Sequence, residues 1–205
     1  MIFIERYLNK ISEISEKIDS QCINDVIEII DSTRNNKGRL FLIGVGGGAG
    51  HASHAVNDFR KIVGIESYSP SDNVSELTAR INDEGWDTCY SEWLKTSNLN
   101  SKDMILIFSV GGGNVSHNLS MNIVKCLELA KDVGCKICGI VGRDGGETKK
   151  YADSCIVVPD VDTELTTVLT ESYQAIIWHL IVSHPKLYNN KMKWESVEEV
   201  IVNEY

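Results

Sequence analysis

Proline is scarce, three in 205 residues, and no stretch is low in complexity, so neither linkers nor long extended tails are expected. No run reaches the roughly 18 uninterrupted apolar residues that a membrane-spanning helix needs, and no membrane partner is expected. Positive charge is in deficit: 20 Lys and Arg against 29 Asp and Glu leave a net charge of −9. An acidic domain is a poor non-specific binder of phosphate backbones, so no nucleic-acid partner is expected. The opening stretch MIFIERYLNKISEISEK is charged throughout and has no signal-peptide core, which predicts a cytoplasmic protein. In that reducing compartment the six cysteines read as thiols. Cys135 and Cys138 have CxxC spacing but no second such pair accompanies them. They lie in an apolar run over 135–141 that reads as a buried strand, and a metal or redox pair is the lesser reading.

What is present is the pattern of one globular domain over residues 1–205. Ile4, Tyr7, Leu8, Ile11, Ile14 and Ile18 recur at helical spacing, and a second periodic stretch runs from Ile23 to the helix-ending cluster Asn35-Asn36-Lys37-Gly38. Residues 1–37 are therefore read as N-terminal helices for packing and oligomerisation. Four short apolar runs follow, at 39–44, 104–108, 136–141 and 154–158, with helical stretches such as 120–133 between them. Strands alternating with helices predict βαβ units and a mainly parallel sheet covered on both faces. The last long helix is expected over 166–183, ended by His184-Pro185. Residues 185–205 form a C-terminal tail with a short helix expected near Trp194 to Val202.

In open parallel sheets, ligands bind beyond the carboxyl ends of the strands, which directs attention to two loops. The first, Gly44-Val45-Gly46-Gly47-Gly48-Ala49-Gly50, precedes a helix expected from about His51. It lacks the lysine of a P-loop and the spacing of a dinucleotide fingerprint. A tight turn explains one or two glycines, whereas five suggest close backbone approach to a ligand and an anion at the helix N-terminus. The second loop, Ser109-Val110-Gly111-Gly112-Gly113-Asn114-Val115-Ser116, is of the same kind, and Ser109, Asn114 and Ser116 carry hydrogen-bonding side chains. His54 and Asp58, four apart, share a helix face. Glu171 and His179, eight apart, look to one side of the last helix. Taken alone, His179 reads as a core histidine and His54 with Asp58 as a surface pair. Together the four residues suit either a divalent-metal site or an acid/base pair.

The ordered set of motifs resembles the sugar isomerase (SIS) domain proteins, and within them the phosphoheptose isomerases. It consists of Gly44-x-Gly46-Gly47, His54 and the acidic residue 58; Asp72-Asn73-Val74-Ser75 leading to Asn82-Asp83-Glu84-Gly85; Gly142-Arg143-Asp144-Gly145-Gly146; Ala152-Asp153 and Pro159; and Glu171 with His179. The resemblance implies an α/β fold, a flavodoxin-like three-layer αβα sandwich, assembled as a homotetramer with active sites between subunits. It implies conversion of sedoheptulose 7-phosphate to D-glycero-D-manno-heptose 7-phosphate for bacterial surface-polysaccharide heptose. Asp58 is then the base and His179 the acid. Zinc is the implied cofactor, on His54, Asp58, Glu171 and His179. Gly46, Gly47, Gly48, Asp72, Asn73, Ser109, Gly111, Gly112, Gly113, Asn114 and Glu171 are the implied substrate contacts.

The chemistry is coherent, since an aldose–ketose isomerase moves a proton between adjacent carbons through an enediol and needs a positioned base and acid. The chain also departs from the family pattern. Its second loop has Val110, Gly111 and Gly113 where the family has hydroxyl-bearing positions, and carries a short insertion before the next helix. Asp58 stands for a glutamate and Glu171 for a glutamine. The alternative reading is a non-catalytic SIS protein that binds a sugar phosphate or another protein, such as a replication initiator. A scaffold has no need of all four acid/base residues, and their joint presence favours an enzyme.

Overall fold

Alternation along the central strands decides the layers. In the computed structural model, which describes residues 2–193, β1 (Leu40–Gly44), β3 (Met104–Ser109) and β4 (Lys136–Val141) form the middle of the sheet. Leu40, Leu42, Met104, Leu106, Phe108, Cys138 and Ile140 face one core, while Phe41, Ile43, Ile105, Ile107 and Ile137 face the other. This is the period-two pattern of a sheet buried on both sides. Each such aliphatic side chain contributes about 1.5–3 kcal/mol by leaving water. The short β2 (Ser67–Tyr68) and β5 (Ser154–Val157) complete a parallel sheet of order β2-β1-β3-β4-β5. That is the flavodoxin-like order, whose switch point lies between β1 and β3. Four of the five strands are among those read from the sequence. The two-residue β2 is too short to show a period.

The first core packs beneath α1 (Phe3–Lys17), α2 (Ser20–Asn35), α3 (Gly47–Asp58) and α8 (Thr166–Ser183). The second packs beneath α4 (Val74–Glu84), α5 (Cys89–Thr96) and α6 (Met121–Val133), with α7 (Gly146–Tyr151) beside β4. Local signals set the ends. Asp19 caps α2 by accepting from the amides of Gln21 and Cys22, and Gly134 closes α6 in the left-handed conformation. Helix α8 spans the expected residues and stops before Pro185. The helix expected near Trp194–Val202 lies outside the described residues.

One sequence expectation is corrected and another is met. Helix α3 begins at Gly47, not near His51, so three of the loop glycines (Gly47, Gly48 and Gly50) belong to the helix itself. The CxxC pair is split by the sheet: Cys135 enters one core and Cys138 the other, and all six cysteines are free. Among the described residues no helix is long and apolar enough to cross a membrane.

Candidate active site

Helix α3 leaves the carboxyl end of β1 so tightly that two of its glycines sit where a side chain would meet a neighbour. A Cβ on Gly48 would lie 2.4 Å from the carbonyl oxygen of Phe108 at the end of β3. A Cβ on Gly47 would lie 2.6 Å from the carboxyl carbon of Glu171. Gly46, the residue before the helix, has a positive φ of 58° and open space where a side chain would be. The first glycine loop therefore does two things: it lets β1, β3 and α3 meet, and it seats the Glu171 carboxylate on the first turn of α3.

From that point α3 and α8 run side by side, and their shared seam is polar. Asp58 ends α3, immediately before a single π-helical turn over Phe59–Val63. Such turns recur at functional sites. Asp58 is buried and accepts a hydrogen bond from the side-chain amide of Asn57 at 2.8 Å. Its Oδ2 lies 3.9 Å from Nε2 of His54 and 3.8 Å from Nε2 of His179. The His54 and His179 ring centroids are 5.6 Å apart, and the buried indole of Trp178 meets His54 edge-on and lies tilted against His179. Three residues that read separately as a surface pair and a core histidine thus meet through tertiary packing.

The tautomer of His179 follows from its partner. Nδ1 lies 2.8 Å from the carbonyl oxygen of Ala175. A carbonyl only accepts, so Nδ1 carries the hydrogen and Nε2 presents its lone pair toward Asp58. A bare imidazole nitrogen and a carboxylate oxygen facing one another call for a proton or a cation between them. The three ligand atoms lie within 4.8 Å of one another. Two imidazoles and one carboxylate leave a coordination position open, the donor set of a catalytic zinc site. The hydrogen bond to Nδ1 is the kind of support that metal-bound histidines receive.

Glu171 is not among the three residues of this group. It stands two turns before His179, about 12 Å along the helix axis, and its carboxylate rests on Gly47. Between Glu171 and the His54–Asp58–His179 group sits His51, half-buried, which the sequence reading overlooked. Burial pushes its imidazole pKa below the ordinary value, against the opposing pull of the Glu171 carboxylate and carbonyl. The signal was available, because 47, 51, 54 and 58 form one stripe at helical spacing.

The second loop is largely spent on its own scaffold. Ser109 Oγ accepts from the amide of Gly112 at 3.0 Å. Gly112, at φ 68°, would place a Cβ 2.0 Å from the carbonyl oxygen of Gly145, so only glycine fits there. The carbonyl of Gly112 accepts from Thr148 through both its amide and its hydroxyl, and that of Gly113 from the amide of Glu147. Asn114 is engaged within the inserted segment. Gly111 alone has open space around it. Asp72 and Asn73 follow β2 at the same edge of the sheet. Both are exposed, and Asn73 caps α4 by accepting from the amides of Ser75 and Glu76.

Above the second loop opens a cavity of about 870 Å³, lined by Gly111, Asn114, His117, Ser120, Arg143 and Thr167, with the carboxylates of Asp144 and Asp160 at its rim. Ser120 precedes α6 and Thr167 lies in the first turn of α8. Neither helix has a side-chain cap or an acidic residue in its first turn. Two uncapped helix N-termini and a guanidinium at one cavity form a setting for an anion. Arg143 and Thr167 were not singled out as contacts from sequence, although Arg143 lies in a motif that was.

Residues 3–142 match the SIS domain family. Among curated relatives, the phosphoheptose isomerase of Helicobacter pylori (strain P12) is 32% identical over 150 residues, 70% of this chain and 73% of the relative. A probable phosphoheptose isomerase of Thermoplasma volcanium is 30% identical over 182 residues, 86% of this chain and 87% of the relative. The structure of a phosphoheptose isomerase from Neisseria gonorrhoeae superposes with a TM-score of 0.75 at 20% identity, covering 87% of this chain and 94% of that one.

Proposed function

We propose a function from one premise: this chain belongs to the SIS domain family, alongside the phosphoheptose isomerases that are its relatives. It is a sugar-phosphate isomerase. The proposed reaction is the conversion of sedoheptulose 7-phosphate to D-glycero-D-manno-heptose 7-phosphate, the aldoheptose phosphate from which bacterial surface-polysaccharide heptose is made. The observation that carries this reading is the meeting of Asp58, His54 and His179 in one seam, with Glu171 seated on the first glycine loop.

In the proposed mechanism the Asp58 carboxylate takes the proton from the carbon next to the carbonyl, giving an enediol. His179, protonated at Nε2, donates to the carbonyl oxygen as the enediol forms; Asp58 then returns its proton to the former carbonyl carbon, and the now neutral His179 takes the proton of the neighbouring hydroxyl, which becomes the new carbonyl. Trp178 excludes water from one side of both imidazoles, which strengthens the charge interactions within the seam. His54, Asp58 and His179 are the residues that would hold zinc. Zinc there would take the Nε2 lone pair of His179 in place of its proton and would itself polarise the substrate carbonyl, a stronger electrophile at the same position. Glu171 and the amides around Gly46, Gly47 and Gly48 contact the sugar, and the cavity at Gly111 and Arg143 receives the phosphate. Asp72 and Asn73 lie at the same sheet edge for further contacts.

A homotetramer with shared sites is part of the proposal. His54 and His179 keep more than half of their side-chain surface exposed. Ile176 and Leu180, beside His179, are both 45% exposed. An apolar ridge at the rim of a polar site suits coverage by a second copy, and the exposed Ile2, Phe3, Ile4 and Leu8 of α1 suit the same role. Six free thiols fit the reducing cytoplasm. The test is turnover of sedoheptulose 7-phosphate followed by NMR, with and without EDTA and added zinc, beside light scattering for the oligomer. The expected result is formation of the manno-heptose phosphate by a tetramer, slowed by EDTA and restored by zinc. A folded, zinc-loaded protein without turnover would overturn the proposed substrate.

A further inference from the structure

The segment inserted after the second glycine loop is built around one side chain. Asn114 and Leu119 form an antiparallel bridge that closes the loop. Inside it, Oδ1 of Asn114 accepts from the backbone amide of His117 at 3.0 Å and from the Ser116 hydroxyl at 2.8 Å. Because a backbone N–H donates to it, that atom is the oxygen of the amide. The same oxygen lies 3.0 Å from Nδ1 of His117. Nδ1 therefore carries the hydrogen, and Nε2 of the neutral ring is left as a bare acceptor. His117 and Asn114 both line the cavity, with Arg143 across it.

Arg143 is a non-glycine residue held at a positive φ of 51°, a backbone strain of the sort that clusters at functional positions. Its side chain is exposed, and among the described residues it has no hydrogen bond or ion pair. The two acids at the rim are engaged close by: Asp144 accepts from the amide of Gly146 and Asp160 from the Thr166 hydroxyl.

We propose that His117 and Arg143 form a two-point recognition site for a phosphorylated polyhydroxy compound. Arg143 takes an anionic oxygen, and Nε2 of His117 accepts a hydroxyl of the same molecule. A bare imidazole lone pair repels an anionic oxygen and receives an O–H, so the two residues divide the labour. The inserted loop thereby replaces the hydroxyl side chains absent from positions 110, 111 and 113 and reads the body of the sugar as well as its phosphate. This rests on the sugar-phosphate reading above and deepens it.

The test uses the purified full chain, titrated separately with inorganic phosphate and with sedoheptulose 7-phosphate. Affinity is read by calorimetry and the histidine ring nitrogens by 15N NMR. Before ligand, His117 is expected to be protonated at Nδ1 only. Sugar phosphate is expected to shift Nε2 as it accepts a hydrogen bond, and inorganic phosphate to leave it unshifted. Arg143→Gln is expected to weaken both ligands by about 10- to 100-fold, and His117→Ala to weaken only the sugar phosphate, by about 3- to 10-fold. An Nε2-protonated His117, or unchanged sugar-phosphate affinity in His117→Ala, overturns the proposal. So does a His117 that becomes doubly protonated on inorganic phosphate. The expected binding pattern without turnover supports the two-point site and overturns the isomerase reading. Turnover with His117→Ala affinity unchanged does the reverse.

Discussion

Replacing Gly47 with alanine separates activity from stability. Gly47 is the first residue of α3 and its φ is not positive, so alanine suits the backbone. The added Cβ would lie 2.6 Å from Cδ and Oε1 of Glu171 and 2.8 Å from Oε2. Ordinary carbon contacts sit at about 3.5–4.0 Å, so the carboxylate must retreat by roughly 1 Å. Only the end of a flexible side chain has to move, at a rotamer cost of about 0.5–1.5 kcal/mol. Alanine's helix propensity returns up to about 1 kcal/mol. The net change is near zero, and Tm is expected to hold within about 4 °C. Activity is expected to fall by about 100-fold, because displacements near 1 Å are costly in catalysis. Gly48→Ala is the contrast, since its Cβ would meet the Phe108 carbonyl at 2.4 Å, where only backbone can yield. That variant is expected to lower Tm sharply. The paired measurements are kcat/KM with sedoheptulose 7-phosphate and Tm by circular dichroism. Unchanged kcat/KM in Gly47→Ala would refute the placement of Glu171 in the site, and a Tm loss matching Gly48→Ala would refute the flexible-contact reasoning.

Other outcomes follow from the same seam. His179→Gln and Asp58→Asn are each expected to lower kcat by about 100- to 10,000-fold with the far-ultraviolet spectrum unchanged; either variant retaining full kcat would remove that residue from the mechanism. His51 has its pKa depressed by burial, so the unfolded chain takes up this proton first as pH falls. The stability it contributes is complete above the unfolded pKa of about 6.5 and is lost as pH drops below it. Urea midpoints should therefore decline from about pH 7.5 to 5.5, and less so in His51→Asn; an equal decline in both would count against a buried neutral His51. Burial pushes the thiols of Cys89 to about 11 and of Cys135 and Cys155 to about 12. These thiols are expected to resist aromatic disulfide reagents at neutral pH until denaturant is added, and mass spectrometry of the labelled native protein checks this.

Much of the architecture was legible because it rests on short-range patterns. The apolar runs at 39–44, 104–108, 136–141 and 154–158 and the helix over 166–183 announce themselves by period and by their glycine and proline stops, and each overlaps an observed element. Strand β2 did not, since two residues carry no period. The start of α3 was misjudged because Gly47, Gly48 and Gly50 are poor helix formers in isolation, and there tertiary contact overrides propensity. Sequence also singled out His54, Asp58, Glu171 and His179 as chemically capable, but spacing along two separate helices does not say whether the helices touch. Packing of α3 against α8 brings Asp58 between His54 and His179 and puts Glu171 on Gly47. It also inserts His51 beside them and leaves Glu171 outside the three-residue group. Around the second loop, residue types alone suggested Ser109 and Asn114 as ligand contacts. Folding engages them with Gly112 and with His117, and brings Arg143 and His117 to the cavity that Asn114 also lines. Local sequence determines which elements form and which side chains can do chemistry, because periodicity and residue type act within a few positions. Which of those side chains meet, and which are already spent on the scaffold, depends on contacts between residues more than 100 positions apart, such as Asp58 with His179, that only the packed sheet and helices decide.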